Sequence, residues 1–290
     1  MRRLRVALPV IVLAGVVGTS ARWAATAPEP KPTFRVATWN IHKGADRRGT
    51  YDLEQTIDAI ARFDADLVGL QEVMRNQLES NCDDQPALIA DGLRRRTGRP
   101  WTEVHVKAWT SDKRYCLEQG RGDGVETEGV AFLAAEPIAV STSTRLPESR
   151  VAVEVRLASL PSLPVVVTHL APNRTDRELR VRQFATLLPW TAARGRGILL
   201  GDLNAEPDAG ELAPVLARYR DSWAEAAAKG ATRGVATGQT RPRRVSRIDY
   251  ILHAPEIALT LESVEVVDTA TLGLGEVSDH HPVVATFRRK

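Results

Sequence analysis

Six short apolar stretches of this chain each run into a residue that can bind a cation or carry a proton. Asn40 follows Trp39 directly, and Glu72 follows Val68-Gly69-Leu70-Gln71. His169 closes the run from Val165, while Asp202 and Asn204 come just after Ile198-Leu199-Leu200-Gly201. Asp249 lies inside Arg247-Ile248-Asp249-Tyr250-Ile251, and Asp279 with His280 precedes the run from Pro282 to Phe287. Asn, Glu and Asp oxygens are hard ligands that suit Mg²⁺ or Mn²⁺, and the absence of a Cys/His cluster argues against structural zinc. A histidine beside acids adds the proton-transfer group that such a site needs. Singly, each residue has an ordinary explanation: an Asn after a strand is a turn residue, Asp202 an N-cap, a lone His a hydrogen-bonded core residue. Their joint occurrence at apolar run ends is instead the pattern of a ligand site in a layered α/β protein, where a sheet fixes geometry and loops stay accessible.

The elements that must carry these residues are legible as periodicities. Strands are expected at 34–39, 67–73, 103–109, 129–134, 151–157, 165–170, 198–200, 248–252, 261–267 and 282–287, the fifth alternating as Val151, Val153, Val155, Leu157. Helices are expected at 52–63, with Leu53, Ile57, Ile60 and Ala61 on one face, at 86–96 with Pro in its first turn, and near 176–193 through Val181, Phe184 and Leu188. Irregular alternation of strands and helices, with paired strands in the middle, predicts a mixed α/β sandwich. The chain has 290 residues, 43% apolar and 26% charged, with no repeat and no linker past residue 33, which describes one ordinary globular domain.

The N-terminus reads differently. Met1 to Arg5 is basic, Val6 to Gly18 is apolar but shorter than a bilayer span, and small residues end at Ala27. The expected division is a signal peptide at 1–27, a Pro-rich linker at 28–33 and the domain at 34–290; the alternative is an uncleaved N-terminal membrane anchor. Export, to the medium or a periplasm, follows from the first reading, and no integral membrane domain remains once the leader is removed. The formal charge of +3 drops to −1 when cleavage removes Arg2, Arg3, Arg5 and Arg22 with no acid, so bulk charge does not argue for nucleic acid. Cys82 and Cys116, the only two cysteines, are expected to pair in an exported chain, joining the loop after Glu72 to the loop after the strand at 103–109.

Seven segments, in order, resemble the successive motifs of the endonuclease/exonuclease/phosphatase superfamily: Thr38-Trp39-Asn40-Ile41, Leu70-Gln71-Glu72-Val73, Glu128-Gly129-Val130-Ala131, Thr168-His169-Leu170, Gly201-Asp202-Leu203-Asn204-Ala205, Arg247-Ile248-Asp249-Tyr250-Ile251 and Ser278-Asp279-His280-His281-Pro282. Together they cover residues 34–288, nearly all of the chain past the leader. The resemblance implies a four-layer α/β sandwich, two facing mixed β-sheets flanked by helices, and metal-dependent cleavage of phosphoester bonds with Mg²⁺ (or Mn²⁺). It implies that Asn40, Glu72 and Asp279 form the metal site and that Asp202 and Asn204 orient the attacking water and contact the phosphate. It also implies that Asp249 and His280 are an acid–imidazole pair and that His169 is a second phosphate-facing histidine. One assignment makes neutral His280 the base that takes the water proton; the other makes Asp202 the base, with His280 stabilising the phosphoryl group. The family's apurinic-site nucleases carry an acid shortly after the first Asn, where this chain has His42, which weighs against that repair activity.

The expected partner is a phosphate-ester substrate, nucleic acid or a phospholipid head group, with a small ester as a further alternative and the protein a monomer. A nuclease-like phosphodiesterase leads, and a binding protein that has lost the chemistry is disfavoured because every motif residue is present. Arg94, Arg95, Arg96 and Arg99 read as a solvated helix end, Arg241, Arg243, Arg244 and Arg247 as candidates to line the cleft. Trp101 and Trp109 read as core, and the loop at 119–126 as a polar turn.

Overall fold

The computed structural model describes residues 32–172 and 177–290; the expected signal peptide at 1–27 and most of the expected linker lie outside them. Elements follow in the order β1 (Thr33–Asn40), α1 (Leu53–Arg62), β2 (Leu67–Arg75), α2 (Gln85–Thr97), β3 (Thr102–Thr110), α3 (Tyr115–Glu118), β4 (Thr127–Ala134), β5 (Ile138–Leu146), β6 (Arg150–Leu157), β7 (Leu160–His169) and α4 (Arg177–Ala192). They continue with β8 (Ile198–Asp202), α5 (Ala213–Leu216), β9 (Arg220–Asp221), α6 (Ser222–Ala228), β10 (Thr232–Gly234), β11 (Asp249–His253), β12 (Leu259–Val266) and β13 (Val283–Arg289).

Apolar residues on both faces of the strands demand cover on both sides, and the chain supplies it as four layers. A seven-stranded sheet runs β10-β12-β13-β1-β2-β4-β3 and a six-stranded sheet runs β5-β6-β7-β8-β11-β9. Both are mixed: β1/β2, β10/β12 and β7/β8 are parallel and the other pairs antiparallel. On β1, Phe34 and Val36 join the core that includes Val153, Val167 and Leu200 of the facing sheet. Ala37 and Trp39, pointing the other way, pack with Ile57 and Ile60 of α1 and Ile89 and Leu93 of α2. Asp52 and Asp84 cap these two helices, accepting hydrogen bonds from the Gln55 and Ala87 amides, with Pro86 in the first turn of α2.

The strands and helices stand where the sequence periodicities put them, with three differences. β5 was not anticipated: Ile-Ala-Val-Ser-Thr-Ser-Thr-Arg-Leu is β-branched but polar, and it forms the mostly solvent-exposed edge of the six-stranded sheet, where a hydrophobic pattern is not required. The short helices α3, α5 and α6 and the brief β9 and β10 were also missed. β7 begins at Leu160 rather than 165, because Leu160 pairs with Leu157 at the end of β6. Among the described residues no helix is long and apolar enough to cross a membrane.

Cys82 and Cys116 are bonded, as expected, and tie the segment before α2 to α3. Closing a loop with a sequence separation of 34 residues contributes about 3–4 kcal/mol in the chain-entropy picture.

Candidate functional site

Register brings the polar strand ends together. In the six-stranded sheet His169 pairs with Asp202 across β7/β8, and Asp202 pairs with Asp249 across β8/β11, so three functional side chains stand on three adjacent strands. Gly201 is required for this spacing. A Cβ there would lie 1.9 Å from the Thr168 carbonyl oxygen, and its φ of +138° disfavours any other residue. In the seven-stranded sheet Asn40 pairs with Gln71, one residue before Glu72.

Glu72 does not end its strand, as the sequence suggested. β2 continues to Arg75, and its register with β4 shifts between Gln71 and Val73, which leaves Glu72 bulged with φ +56°. A bulge re-aims one side chain without breaking the sheet, and a non-glycine residue held in the left-handed region is a conformation that functional sites retain. Asn204, at φ +52°, is the second such residue in the site.

Asn40 links the sheets. Its Nδ2 donates to Glu72 Oε1 at 3.0 Å and to Asp202 Oδ2 at 3.2 Å, while its Oδ1 accepts from the His42 amide at 3.0 Å. His280 reaches the same point from the loop before β13: its Nδ1 is 2.8 Å from Asp249 Oδ2, and its Nε2 is 3.8 Å from Asp202 Oδ2 and 3.9 Å from Asp279 Oδ1. That loop is anchored by Ser278 Oγ donating to the Asn40 carbonyl and Trp39 Nε1 donating to the His280 carbonyl. His169 Nε2 approaches Asp202 Oδ2 at 3.5 Å from the other side. Asn204 donates from its amide to Asp202 Oδ1 and from Nδ2 to the Leu170 carbonyl. Asp279 is half-buried, and Arg241 Nη2 holds its Oδ2 at 2.8 Å. All eight residues proposed from the sequence therefore meet in one cleft between the sheet ends.

The electrostatics are those of an acidic site needing positive charge. Burial, then the charge of Asp249, raises the Asp202 carboxyl well above the ordinary aspartate value. Burial opposes charging of His280, but Asp249, Asp202 and Asp279 together outweigh it and raise the imidazole above its usual range. His169 is held well below its usual value by burial, then by Arg150 and His280. Glu128, a motif residue not assigned a role from the sequence, is raised by burial and by Glu72. Asp249 Oδ1 is buried without a hydrogen-bond partner, and ligand atoms of Asp202, Asp249 and His280 all lie within 4.8 Å of one another. Clustered hard oxygens, one of them orphaned, fit a divalent cation; buried acids of one sign are otherwise unfavourable. Among the described residues, the three-residue group close enough to hold a cation is thus Asp202–Asp249–His280, the water-orienting aspartate together with the acid–imidazole pair of the sequence reading; Asn40 touches it, Glu72 reaches it through Asn40, and Asp279 lies near His280.

The basic segments behave differently from one another. Arg94 pairs with Asp91, Arg96 with Glu54 and Asp58, and Arg99 with Asp66, which makes that cluster a solvated helix end. Arg241 does reach the site, whereas Arg243 pairs with Glu276, and Arg247 pairs with Asp221 and stacks on Tyr250. Trp101 is buried and Trp109 packs half-buried against the inter-sheet core. The loop at 119–126 is pinned by Asn76, whose Nδ2 donates to Asp123 Oδ1 and the Val125 carbonyl.

Two facing mixed sheets with an acid–imidazole cluster between their ends define the phosphoesterase class of α/β sandwich. The chain belongs to the Endonuclease/Exonuclease/phosphatase family, whose sequence profile matches residues 37–280. Similar solved structures include an endonuclease/exonuclease/phosphatase from Beutenbergia cavernae, at 22% identity over 89% of this chain and 72% of that one, with a TM-score of 0.66. The human Nocturnin catalytic domain with bound sulfate is 21% identical over 89% of this chain and 95% of that one, TM-score 0.62. A mannosyl-6-phosphatase from Bacteroides thetaiotaomicron is 16% identical over 88% of this chain and 99% of that one, TM-score 0.60. No curated protein sequence matches the chain. At these identities the likeness is one of fold.

Proposed function

We propose that this protein is an exported, metal-dependent hydrolase of phosphoester bonds, a nuclease-like phosphodiesterase. The observation that carries the reading is the Asp249–His280–Asp202 cluster, tied by Asn40 to Glu72 of the other sheet. Asn40, Glu72 and Asp279 would hold Mg²⁺ or Mn²⁺, and the cation when bound would neutralise charge on the phosphoryl oxygens and orient the ester. Asp249 commits the Nδ1 of His280, leaving Nε2 to face the phosphate. Three carboxylates face this imidazole and favour its protonated form, and an imidazolium cannot take a proton. This supports Asp202 as the base for the attacking water, its proton affinity raised by burial, with His280 stabilising the phosphoryl group and Asn204 orienting the water.

A second reading, a phospholipid head-group or small-ester phosphoesterase, is favoured by one observation. Of the eight arginines singled out in the two clusters, six (Arg94, Arg96, Arg99, Arg241, Arg243 and Arg247) are paired with acids, which weakens both clusters as a basic track for a long polyanion. A panel of plasmid DNA, RNA, sphingomyelin, phosphoinositides and simple mono- and diesters, each with Mg²⁺ or Mn²⁺, separates the two. Turnover of a nucleic acid at least about tenfold above every lipid and small ester is expected; preferential turnover of a lipid or small ester replaces the first reading with the second, and inactivity on all of them removes both.

Export rests on the leader at 1–27, with 28–33 as linker and 34–290 as the catalytic domain; an N-terminal anchor is the alternative. Intact-mass analysis of the protein recovered from outside the cytoplasm should give a chain beginning near Pro28 and lighter by the two hydrogens of the Cys82–Cys116 bond. A membrane-bound chain retaining Met1 would establish the anchor instead.

A further inference from the structure

Arg150, like Arg241, is a cation at the site that belongs to none of the seven motifs. It opens β6 directly after Glu148 and Ser149, both at φ +54°, which turn the chain out of β5. There it lines a small recess with Glu128 and His169, and its Nη1 lies 3.2 Å from His169 Nδ1. A guanidinium has only donors, so His169 Nδ1 must be the acceptor and the ring proton must sit on Nε2. That nitrogen faces Asp202 Oδ2 at 3.5 Å. Burial and the guanidinium charge both disfavour a second ring proton, consistent with a neutral ring.

We propose that Arg150 is a positioning residue: it fixes His169 as the neutral Nε2–H tautomer, so that a hydrogen-bond donor, not a lone pair, faces a phosphoryl group held beside Asp202. The part concerning the phosphoryl group rests on the phosphoesterase reading; the tautomer does not. Without Arg150 the two neutral tautomers compete, and the one protonated on Nδ1 turns a lone pair toward both Asp202 and the phosphate. Repulsion then replaces a donated hydrogen bond.

The test is ¹⁵N spectroscopy of the histidine rings in the wild type, Arg150→Met and Arg150→Lys, with His169 assigned by the signals lost in His169→Gln. Wild type should show His169 protonated on Nε2 alone, Arg150→Met a mixture of both neutral tautomers, and Arg150→Lys, which still donates, a return to Nε2. On an ester that the wild type hydrolyses, Arg150→Met should lower kcat about 10–100-fold, with KM less affected and partial recovery in Arg150→Lys. A proton on Nδ1 in the wild type overturns the proposal with no variant needed, and an unchanged Nε2 tautomer in folded Arg150→Met overturns it as well. The expected tautomers in a protein that hydrolyses no ester would uphold the role of Arg150 and overturn the phosphoesterase reading alone.

Discussion

Replacing His280 with Ala is expected to lower kcat by about three orders of magnitude, with KM changed only severalfold. The loss reflects removal of the group whose Nε2 faces Asp202 and the phosphate, while the remaining site still binds. Asp249→Asn should cost less, about one to two orders of magnitude, because the imidazole stays in place but loses the carboxylate that favours its charged form. The double variant should be little worse than His280→Ala alone, since Asp249 acts through His280 and groups that act as a unit are strongly non-additive. The four-enzyme cycle is measured on one ester at saturating Mg²⁺. Penalties that multiply would show that the two residues work independently despite their 2.8 Å contact. Asp202→Asn supplies the control on the base: a variant retaining near-normal kcat would return that role to His280.

Chelation is expected to abolish turnover, and Mg²⁺ or Mn²⁺ to restore it. Glu72→Gln keeps the shape and the bulge but removes the charge, and it should lower kcat/KM by at least about a hundredfold, the several kcal/mol that a catalytic cation supplies. The same variant should need a higher metal concentration for half-maximal activity, which a metal titration reads separately from the rate. The physical basis is the unbalanced acidity of the cleft: burial and then Glu72 raise the Glu128 carboxyl, burial and then Asp249 raise that of Asp202, and Asp249 Oδ1 has no partner. Full turnover in excess chelator would refute the assignment. Unchanged metal dependence in Glu72→Gln would shift ligation to the Asp202–Asp249–His280 group.

Much of the site was legible in one dimension because its residues sit at the ends of strands whose own periodicity is visible. Asn40 ends an eight-residue strand, and His169 and Asp202 end adjacent parallel strands, so a reader of apolar runs finds all three. Two kinds of residue escaped. Arg150 looks like an ordinary arginine at the start of an alternating strand, and only the β6/β7 pairing, with Ala152 opposite Thr168, puts it beside His169. Glu128 was visible as part of a motif, but its proximity to Glu72 depends on the irregular β2/β4 register, which apolar patterning does not encode.

The sequence by itself determined the strand and helix pattern around the core, the proline in the first turn of α2, the family, and the chemical types gathered at the site. These depend on local rules: side-chain period, the place of proline in a helix and which residue types interrupt an apolar run. Tertiary structure decided the rest. It made β5 an edge strand, bulged Glu72 out of regular register, set Asp249 against His280 across 31 residues and joined Asn40 to Asp202 across 162. It also decided protonation. Whether Asp202 holds its proton more tightly than a free aspartate, and which nitrogen of His169 carries one, depends on burial and on charges brought close from distant parts of the chain, and no local pattern contains those distances.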